Sequence, residues 1–206
     1  SIARQLAEVL SNGLHGNPRQ IKRFLNTLDI SICSRNAGIA ELHGFNKMTK
    51  FKMDTHMHFD LYKDRNEVLN YIEESGSYTI AVTNLPDLYE RYLHLNDGRK
   101  FVKCALGFHP ELAQQYAYQI EKFDRYISTT RFVGEIGLDY STKDSINRAI
   151  QDQIFLHIVQ SCSREKNKVL TVHSRQAEKR TLELLKNLSN CNVIMHWYSG
   201  SISVMD

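Results

Sequence analysis

The stretch MDTHMHFD, residues 53–60, places two histidines one residue apart between two aspartates, at the end of a short apolar run. Successive side chains of a β-strand point to opposite faces, so His56 and His58 are expected to share one face. Two imidazoles that converge on one point repel each other when protonated but chelate a divalent cation when neutral. The stretch therefore predicts a metal site at a strand end, provided that the rest of the chain supplies further ligands.

From residue 51 onward, the chain alternates between strand-like and helix-like segments. Six runs are rich in β-branched and aromatic residues: FKMDT, SYTIAVT, KFVKCALGF, RFVGEIG, KVLTVHS and NVIMHW. Helical stretches lie between them, at residues 64–75, 87–96, 110–128, 145–166 and 175–188. The alternation predicts an α/β fold with parallel strands, either an open doubly wound sheet or a (β/α)8 barrel. The first strand is not followed by a glycine-rich phosphate loop, which disfavours the nucleotide-binding open sheet.

Polar residues with catalytic potential recur at the carboxyl ends of the predicted strands. The first strand ends in THMH, the third in GFHP, the fourth in GEIGLD, the fifth in VHSR and the sixth in MHWYSG. In a parallel barrel these ends meet at one mouth, where barrel enzymes keep their chemistry. A lone histidine is usually a core or surface residue, but five such strand ends are hard to explain that way. The pattern favours a metal centre.

The types of ligand restrict both the metal and the reaction. Imidazoles with one carboxylate suit Zn²⁺ or Mn²⁺, and Mg²⁺ fits if carboxylates and water complete the shell. A glutamate between two cations, such as Glu135 in GEIG, could bridge them. Two cations about 4 Å apart stabilise the attacking and leaving oxygens of phosphodiester hydrolysis. We therefore expect two divalent metal ions and hydrolytic chemistry.

In their order and spacing, these blocks resemble the TatD-type metal-dependent deoxyribonucleases of the amidohydrolase superfamily. DTHMHFD is similar to the family's opening D-S-H-x-H-L-D, and GFHP, GEIGLDY, HSR and HWYSGS match later blocks, over about residues 52–203. The resemblance implies hydrolysis of DNA phosphodiester bonds, with exonuclease action expected. A tRNA-deacylase activity and a non-catalytic subunit that binds nucleic acid or an ATPase are the alternatives.

The resemblance also implies which residues bind the metals. His56 and His58 match ligands of the first metal, and Glu135 matches the carboxylate that contacts both metals and serves catalysis. His173 and His196 match ligands of the second metal. The glutamate in GEIG stands where many amidohydrolases have a carboxylated lysine, which disfavours urease-like and dihydroorotase-like activities.

Further residues of the matched blocks are assigned to the substrate. His109 matches a catalytic histidine that lines the substrate site. Arg175 could hold a phosphate oxygen or be an ordinary arginine at a helix start. Trp197 and Tyr198 could stack on a base or pack the barrel mouth. Two aspartates are expected to orient metal ligands: Asp60 and Asp139.

The resemblance predicts a barrel that is incomplete at its carboxyl end. The family carries a further metal-binding aspartate after a later strand, and Asp206 lies too close to His196 to be that residue. We therefore expect a (β/α)8 TIM-type barrel of the TatD kind, at residues 48–206, truncated after about six βα units. Full activity would then need another source of that aspartate.

Residues 1–47 are predicted to form a separate helical segment. The stretch GNPRQIKRFLNTL resembles the lid of KAP-type P-loop ATPases, although the chain has no GxxxxGK[ST] and cannot be a complete ATPase. Its pairing with a TatD-like nuclease resembles the Qat anti-phage systems. This implies an antiviral role, with a KAP-like ATPase or other defence-system subunits as partners. A small helical docking domain on an ordinary nuclease is the alternative.

Composition restricts the protein's class. A net charge of +3 is compatible with a nucleic-acid partner but does not require one. The four cysteines show no CxxC pairing, which favours reduced thiols. No apolar run reaches the roughly 18 residues of a membrane span. We expect a soluble, cytoplasmic protein that does not bind membranes.

Overall fold

The computed structural model describes residues 52–196 and residue 198. Its six strands are β1 (Lys52–His58), β2 (Ser77–Val82), β3 (Val102–Cys104), β4 (Phe132–Gly137), β5 (Val169–His173) and β6 (Asn192–His196). They form two parallel three-stranded sheets, in the orders β1-β2-β3 and β4-β5-β6. The predicted α/β class with parallel strands is confirmed. The predicted segment 1–47 lies outside the described residues.

The two sheets join where the segments that follow β2 and β3 meet β4. Leu106, just beyond β3, forms a parallel bridge with Val133 of β4. Further along, β2 reaches β4 directly, because Thr83 N donates to Gly134 O at 3.1 Å and Thr83 O accepts from Glu135 N at 3.1 Å. Gly107 permits this approach, since a Cβ there would lie 1.6 Å from Thr83 O.

The joined sheets curl, and their outermost described strands approach each other. His56 near the end of β1 and His196 at the end of β6 stack with ring centroids 3.4 Å apart and planes 3° apart. Below them, Ile80, Val82 and Ala105 form a small interior cluster against which Ile194 of β6 packs. This curvature agrees with a barrel-type arrangement, and a barrel truncated after about six βα units stays a prediction.

In the described part of the chain, six α-helices cover the outer side of the strands. They are α1 (Arg65–Ser75), α2 (Pro86–Tyr92), α3 (Ala113–Tyr116), α4 (Ile120–Tyr126), α5 (Ser145–Glu165) and α6 (Glu178–Leu185). The Asp64 side chain caps α1 by accepting from Glu67 N at 2.9 Å, and Asp144 caps α5 in the same way. Both helices match their predicted ranges to within one residue. Within the described part of the chain, no helix is long and apolar enough to cross a membrane.

The prediction of one continuous helix over residues 110–128 is wrong. The segment instead consists of α3 and α4, separated and flanked by 3-10 turns at Pro110–Leu112, Ala117–Gln119 and Ile127–Thr129. The buried amide of Gln119 explains one break, because it accepts from Asp87 N at 3.2 Å and donates to Asp87 Oδ2 at 2.7 Å. Helical periodicity does not record such a tertiary contact. The predicted third strand is also shorter, because beyond Cys104 the main chain turns toward β4.

Candidate metal centre

The carboxylate of Glu135 lies at the centre of a cluster of histidines. Its side chain is only 2% exposed, and β4 delivers it to the carboxyl end of the sheet. Oxygen Oε2 lies 3.3 Å from His56 Nε2, 3.1 Å from His58 Nε2 and 3.7 Å from His109 Nε2. The two histidine nitrogens from β1 are themselves only 3.2 Å apart.

The second carboxylate oxygen faces the later strands. Oε1 of Glu135 lies 2.8 Å from His173 Nδ1 and 3.6 Å from His196 Nε2. The structure thus gathers on one carboxylate all five of the histidines that the sequence analysis assigned to the site. Two triplets of residues each bring their potential ligand atoms within 4.8 Å of one another. The first triplet is His56, Glu135 and His196, and the second is His109, Glu135 and His173.

Irregularities in two strands position the cluster. The register of β1 against β2 shifts between Asp54 and Met57, where the Asp54 carboxylate accepts from His56 N at 3.0 Å. A second shift lies between Val133 and Ile136, the part of β4 that carries Glu135. Such bulges change the direction of a side chain relative to the regular pleat. They help to direct residues from separate strands to one point.

Two histidines of the cluster are held by buried partners. His173 Nε2 lies 2.8 Å from Asp139 Oδ2, and Asp139 in turn accepts from Ser141 N at 2.9 Å. The His56 Nδ1 atom lies 2.7 Å from Thr171 Oγ1, a fully buried hydroxyl on β5. Contacts of this kind fix the orientation of an imidazole ring. The geometry agrees with the orienting role predicted for Asp139.

The histidines and carboxylates shift one another's pKa values. Burial alone would raise the pKa of Glu135, but hydrogen bonds from histidines outweigh burial and hold that pKa well below its usual range. Burial would lower the pKa of His173, yet the contacts with Asp139 and Glu135 raise it to about 9. Burial lowers the pKa of His109 to about 4. Near neutral pH, the metal-free site therefore holds a cationic His173 and a neutral His109.

This charge distribution gives a testable titration. In the metal-free protein, we expect an NMR titration of His173 with a midpoint near pH 9, while His109 stays neutral down to about pH 4. Because the folded-state pKa of His173 lies above the ordinary 6.5, its contribution to stability is complete below about pH 6 and is lost as the pH rises through 9. Asp139→Asn should lower the midpoint. A His173 midpoint below pH 7 in the unmodified protein would contradict this charge distribution.

The family follows from a match that covers most of the chain. Residues 53–206 match the model of the family described as TatD related DNase. The chain belongs to this family. A TatD homolog from Escherichia coli K12, YJJV, has a crystal structure that covers 74% of this chain, with 62% of its own chain covered. The TM-score is 0.64 at 24% identity, a likeness that shows the fold.

Relatives of this TatD-related chain carry names that refer to hydrolysis. The metal-dependent hydrolase YcfH of Escherichia coli K12, described as uncharacterized, is 32% identical over 164 residues, which cover 72% of this chain. Human deoxyribonuclease TATDN3 is 26% identical over 171 residues, which cover 74% of this chain. The chain spans about three fifths of the length of these relatives, 59% of YcfH and 62% of TATDN3.

Asp60, Arg175 and Tyr198 are described residues with a predicted role that are not among the potential metal ligands of the two triplets. Asp60 lies in the 3-10 turn after β1, where its backbone oxygen accepts from Arg65 Nη2 at 2.9 Å, and neither ligand triplet includes it. The backbone oxygen of Arg175 accepts from Tyr140 N at 3.0 Å, which links the loops after β4 and β5. Tyr198 is half-buried. Trp197 lies outside the described residues.

Three residues that support the site were missed by the sequence analysis. Thr83 holds the backbone of Glu135, and Asn84 O accepts from His109 N at 2.8 Å. Thr171 contacts His56, as described above. Thr83 and Asn84 act through backbone atoms, so their side chains give no signal of this role. Thr171 acts through its side chain, and its signal is a hydroxyl within an apolar strand at the level where neighbouring strands carry histidines. That signal is weak, because such residues often only satisfy the backbone.

The donor atoms fit a divalent cation. Neutral imidazole nitrogens and a carboxylate oxygen are ligands that Zn²⁺ and Mn²⁺ accept. His58 Nδ1 is buried and has no hydrogen-bond partner among the described residues, so no hydrogen bond at that atom fixes the ring. One oxygen of Glu135 faces the histidines of β1, and the other faces those of the later strands. This position suits a ligand that two cations share.

Proposed function

We propose that this chain hydrolyses DNA phosphodiester bonds in a reaction that depends on divalent metal ions. The observation that carries the proposal is the convergence of five imidazoles on the two oxygens of the buried Glu135 carboxylate. The family description and the name of the human relative support DNA as the substrate. Because the chain covers only part of its relatives, the activity of the whole protein belongs to the proposal.

The distances suggest how two cations would be shared. We propose His56 and His58, beside Oε2 of Glu135, as ligands of one cation. We propose His173 and His196, beside Oε1, as ligands of the other. Bound Mg²⁺, Mn²⁺ or Zn²⁺ would polarise the phosphodiester and lower the pKa of water.

His109 has the properties of a hydrogen-bond donor to the substrate. Its Nδ1 accepts from Glu111 N at 3.3 Å, so the neutral ring carries its proton on Nε2. That Nε2 atom faces Glu135 Oε2 at 3.7 Å, beside the cluster. The N–H group at Nε2 can donate a hydrogen bond to a phosphate oxygen and so stabilise charge on the phosphate. This tautomer favours the predicted substrate role of His109 over a ligand role at Nε2.

Other residues would hold and orient the groups that react. Asp139 keeps the Nδ1 atom of His173 directed toward Glu135. The guanidinium of Arg175 is proposed to hold a phosphate oxygen, and the aromatic rings of Trp197 and Tyr198 to stack on a base. Asp60 is proposed to support ligand orientation from the turn after β1.

We further propose exonuclease action within an anti-phage system, with a KAP-like ATPase or another defence subunit as partner. This proposal rests on the sequence resemblance of residues 1–47 and of the TatD-like blocks. Cleavage of linear but not circular single-stranded DNA would support the exonuclease mode. Co-purification of the chain with an ATPase subunit, and loss of phage protection without the chain, would support the partner and the role.

Metal removal gives the direct test of the proposed activity. We expect the purified chain to shorten end-labelled single-stranded DNA with Mn²⁺ or Mg²⁺, to lose that activity in EDTA, and to regain it when metal is restored. Release of free amino acid from aminoacyl-tRNA, with the nucleic acid left intact, would instead support a deacylase. Binding of metal and DNA without cleavage would support a non-catalytic subunit.

A further inference from the structure

The two ring nitrogens of His56 face different partners. Nδ1 lies 2.7 Å from Thr171 Oγ1, across the interior from β1 to β5. Nε2 lies 3.3 Å from Glu135 Oε2 and 3.2 Å from His58 Nε2. A neutral imidazole carries one proton, on one nitrogen or the other. The nitrogen that carries it decides whether Nε2 has a lone pair to offer a cation.

The nearby carboxylate favours the unproductive tautomer. A negatively charged Glu135 beside Nε2 attracts a proton to that atom, where it would occupy the lone pair that a cation requires. A hydroxyl beside Nδ1 can donate to that nitrogen or accept from it, so Thr171 stays paired when the proton lies on Nδ1, as a cation at Nε2 requires. We propose that Thr171 is a positioning residue that accepts the Nδ1 proton of His56 when Nε2 binds a divalent cation, and so stabilises the tautomer that binds metal. The inference rests on the proposed metal-dependent function.

Close packing fixes the Thr171 hydroxyl in this position. Its methyl carbon Cγ2 occupies space that Gly134 leaves open, since a Cβ at Gly134 would lie 2.2 Å from it. With the methyl held there, the staggered rotamer directs Oγ1 toward His56. Thr171 is fully buried and the His56 side chain is only 7% exposed, so little water competes for the imidazole proton. Asp139 makes an equivalent contact with His173, with a carboxylate in place of the hydroxyl.

The test compares two substitutions of Thr171 with a matched control in the full chain. Thr171→Val removes the hydroxyl and keeps the shape, whereas Thr171→Ser keeps the hydroxyl and removes the methyl. Thr181→Val is the control, because Thr181 is equally buried on α6 and its hydroxyl has no partner among the described residues. Mn²⁺ and Zn²⁺ affinities are measured by competition with a chromophoric chelator. Nitrogen-15 NMR reports the tautomer of His56 in the Zn²⁺-bound protein at pH 8.

We expect Thr171→Val to weaken metal binding about 10- to 100-fold, the usual effect of losing a group that orients a metal ligand. Thr171→Ser should retain most of the affinity, and Thr181→Val should match the unmodified protein. The rescue by serine separates an effect of the hydroxyl from an effect of packing.

Three results would overturn the inference. These are unchanged affinity in Thr171→Val, an affinity in Thr171→Ser as low as in Thr171→Val, or a Zn²⁺-bound unmodified protein whose His56 carries its proton on Nε2. If the unmodified protein binds neither metal, the proposed function fails. A proton on Nε2 of His56 in the unmodified, Zn²⁺-bound protein overturns the inference about Thr171 even if a variant fails to fold.

Discussion

Glu135→Gln is expected to reduce metal-dependent DNA cleavage about a thousandfold or more. The substitution keeps the shape of the side chain but removes the charge on which the five histidines converge. Metal ions that stabilise charge in the transition state contribute several kcal/mol, and a loss of about 4 kcal/mol corresponds to about a thousandfold in rate. The glutamine amide would also present its NH₂ group to one of the two cation positions. A cation repels this group, because it is a hydrogen-bond donor with no lone pair to offer.

Initial rates on end-labelled single-stranded DNA, with Mn²⁺ above saturation, would measure the effect. Glu183→Gln is the matched control, because Glu183 is an exposed carboxylate on α6 whose ion pair is with Arg180. It should retain the unmodified rate. Circular dichroism would establish that both variants fold. If Glu135→Gln kept more than about a tenth of the activity, the central role of this carboxylate would be refuted.

Gly107→Ala is expected to lower the free energy of unfolding by about 3 kcal/mol or more. The added Cβ would lie 1.6 Å from Thr83 O and 2.7 Å from Gly134 O, and both are backbone atoms held in hydrogen bonds. Overpacking costs about 1–3 kcal/mol where side chains can move aside, and backbone atoms give way less easily. Separation of β2 from β4 would also displace Glu135, so cleavage should fall together with stability.

Gly98→Ala separates this steric effect from a general effect of replacing glycine. A Cβ at Gly98 meets nothing within 4 Å, but its φ of +67° disfavours alanine. We expect a loss of about 1 kcal/mol, from backbone strain alone. Urea unfolding followed by circular dichroism measures both variants. Equal losses of stability at the two positions would show that the contact at Gly107 is not the determining factor.

The residues of the cluster were predictable because their chemistry coincides with a general rule of parallel α/β folds. The carboxyl ends of the strands meet, so His56, His109 and His173 could be placed together from their positions alone. Repetition made the signal strong, since each strand end added an independent residue. The long helices α1 and α5 were predictable for a local reason, because an aspartate cap starts each of them.

The remaining features depend on tertiary contacts that leave little trace in a local pattern. The amide of Gln119 interrupts a helix because it meets Asp87, a residue far away in the sequence. The direct contact of Thr83 with β4 needs a glycine, Gly107, in the segment that follows β3. The hydroxyl of Thr171 matters only because His56 lies across the interior. Such contacts appear only when the whole sheet is assembled.

The stacking of His56 on His196 has a consequence for the order of folding. The two rings belong to the first and last described strands, so their contact closes the longest loop among the described elements. Contacts between residues distant in sequence form slowly, because the entropy of loop closure must be overcome first. The centre should therefore be completed last, after most helices have formed. Metal affinity should then report complete folding more sensitively than circular dichroism, because a chain that is already compact and helical can still lack a competent site.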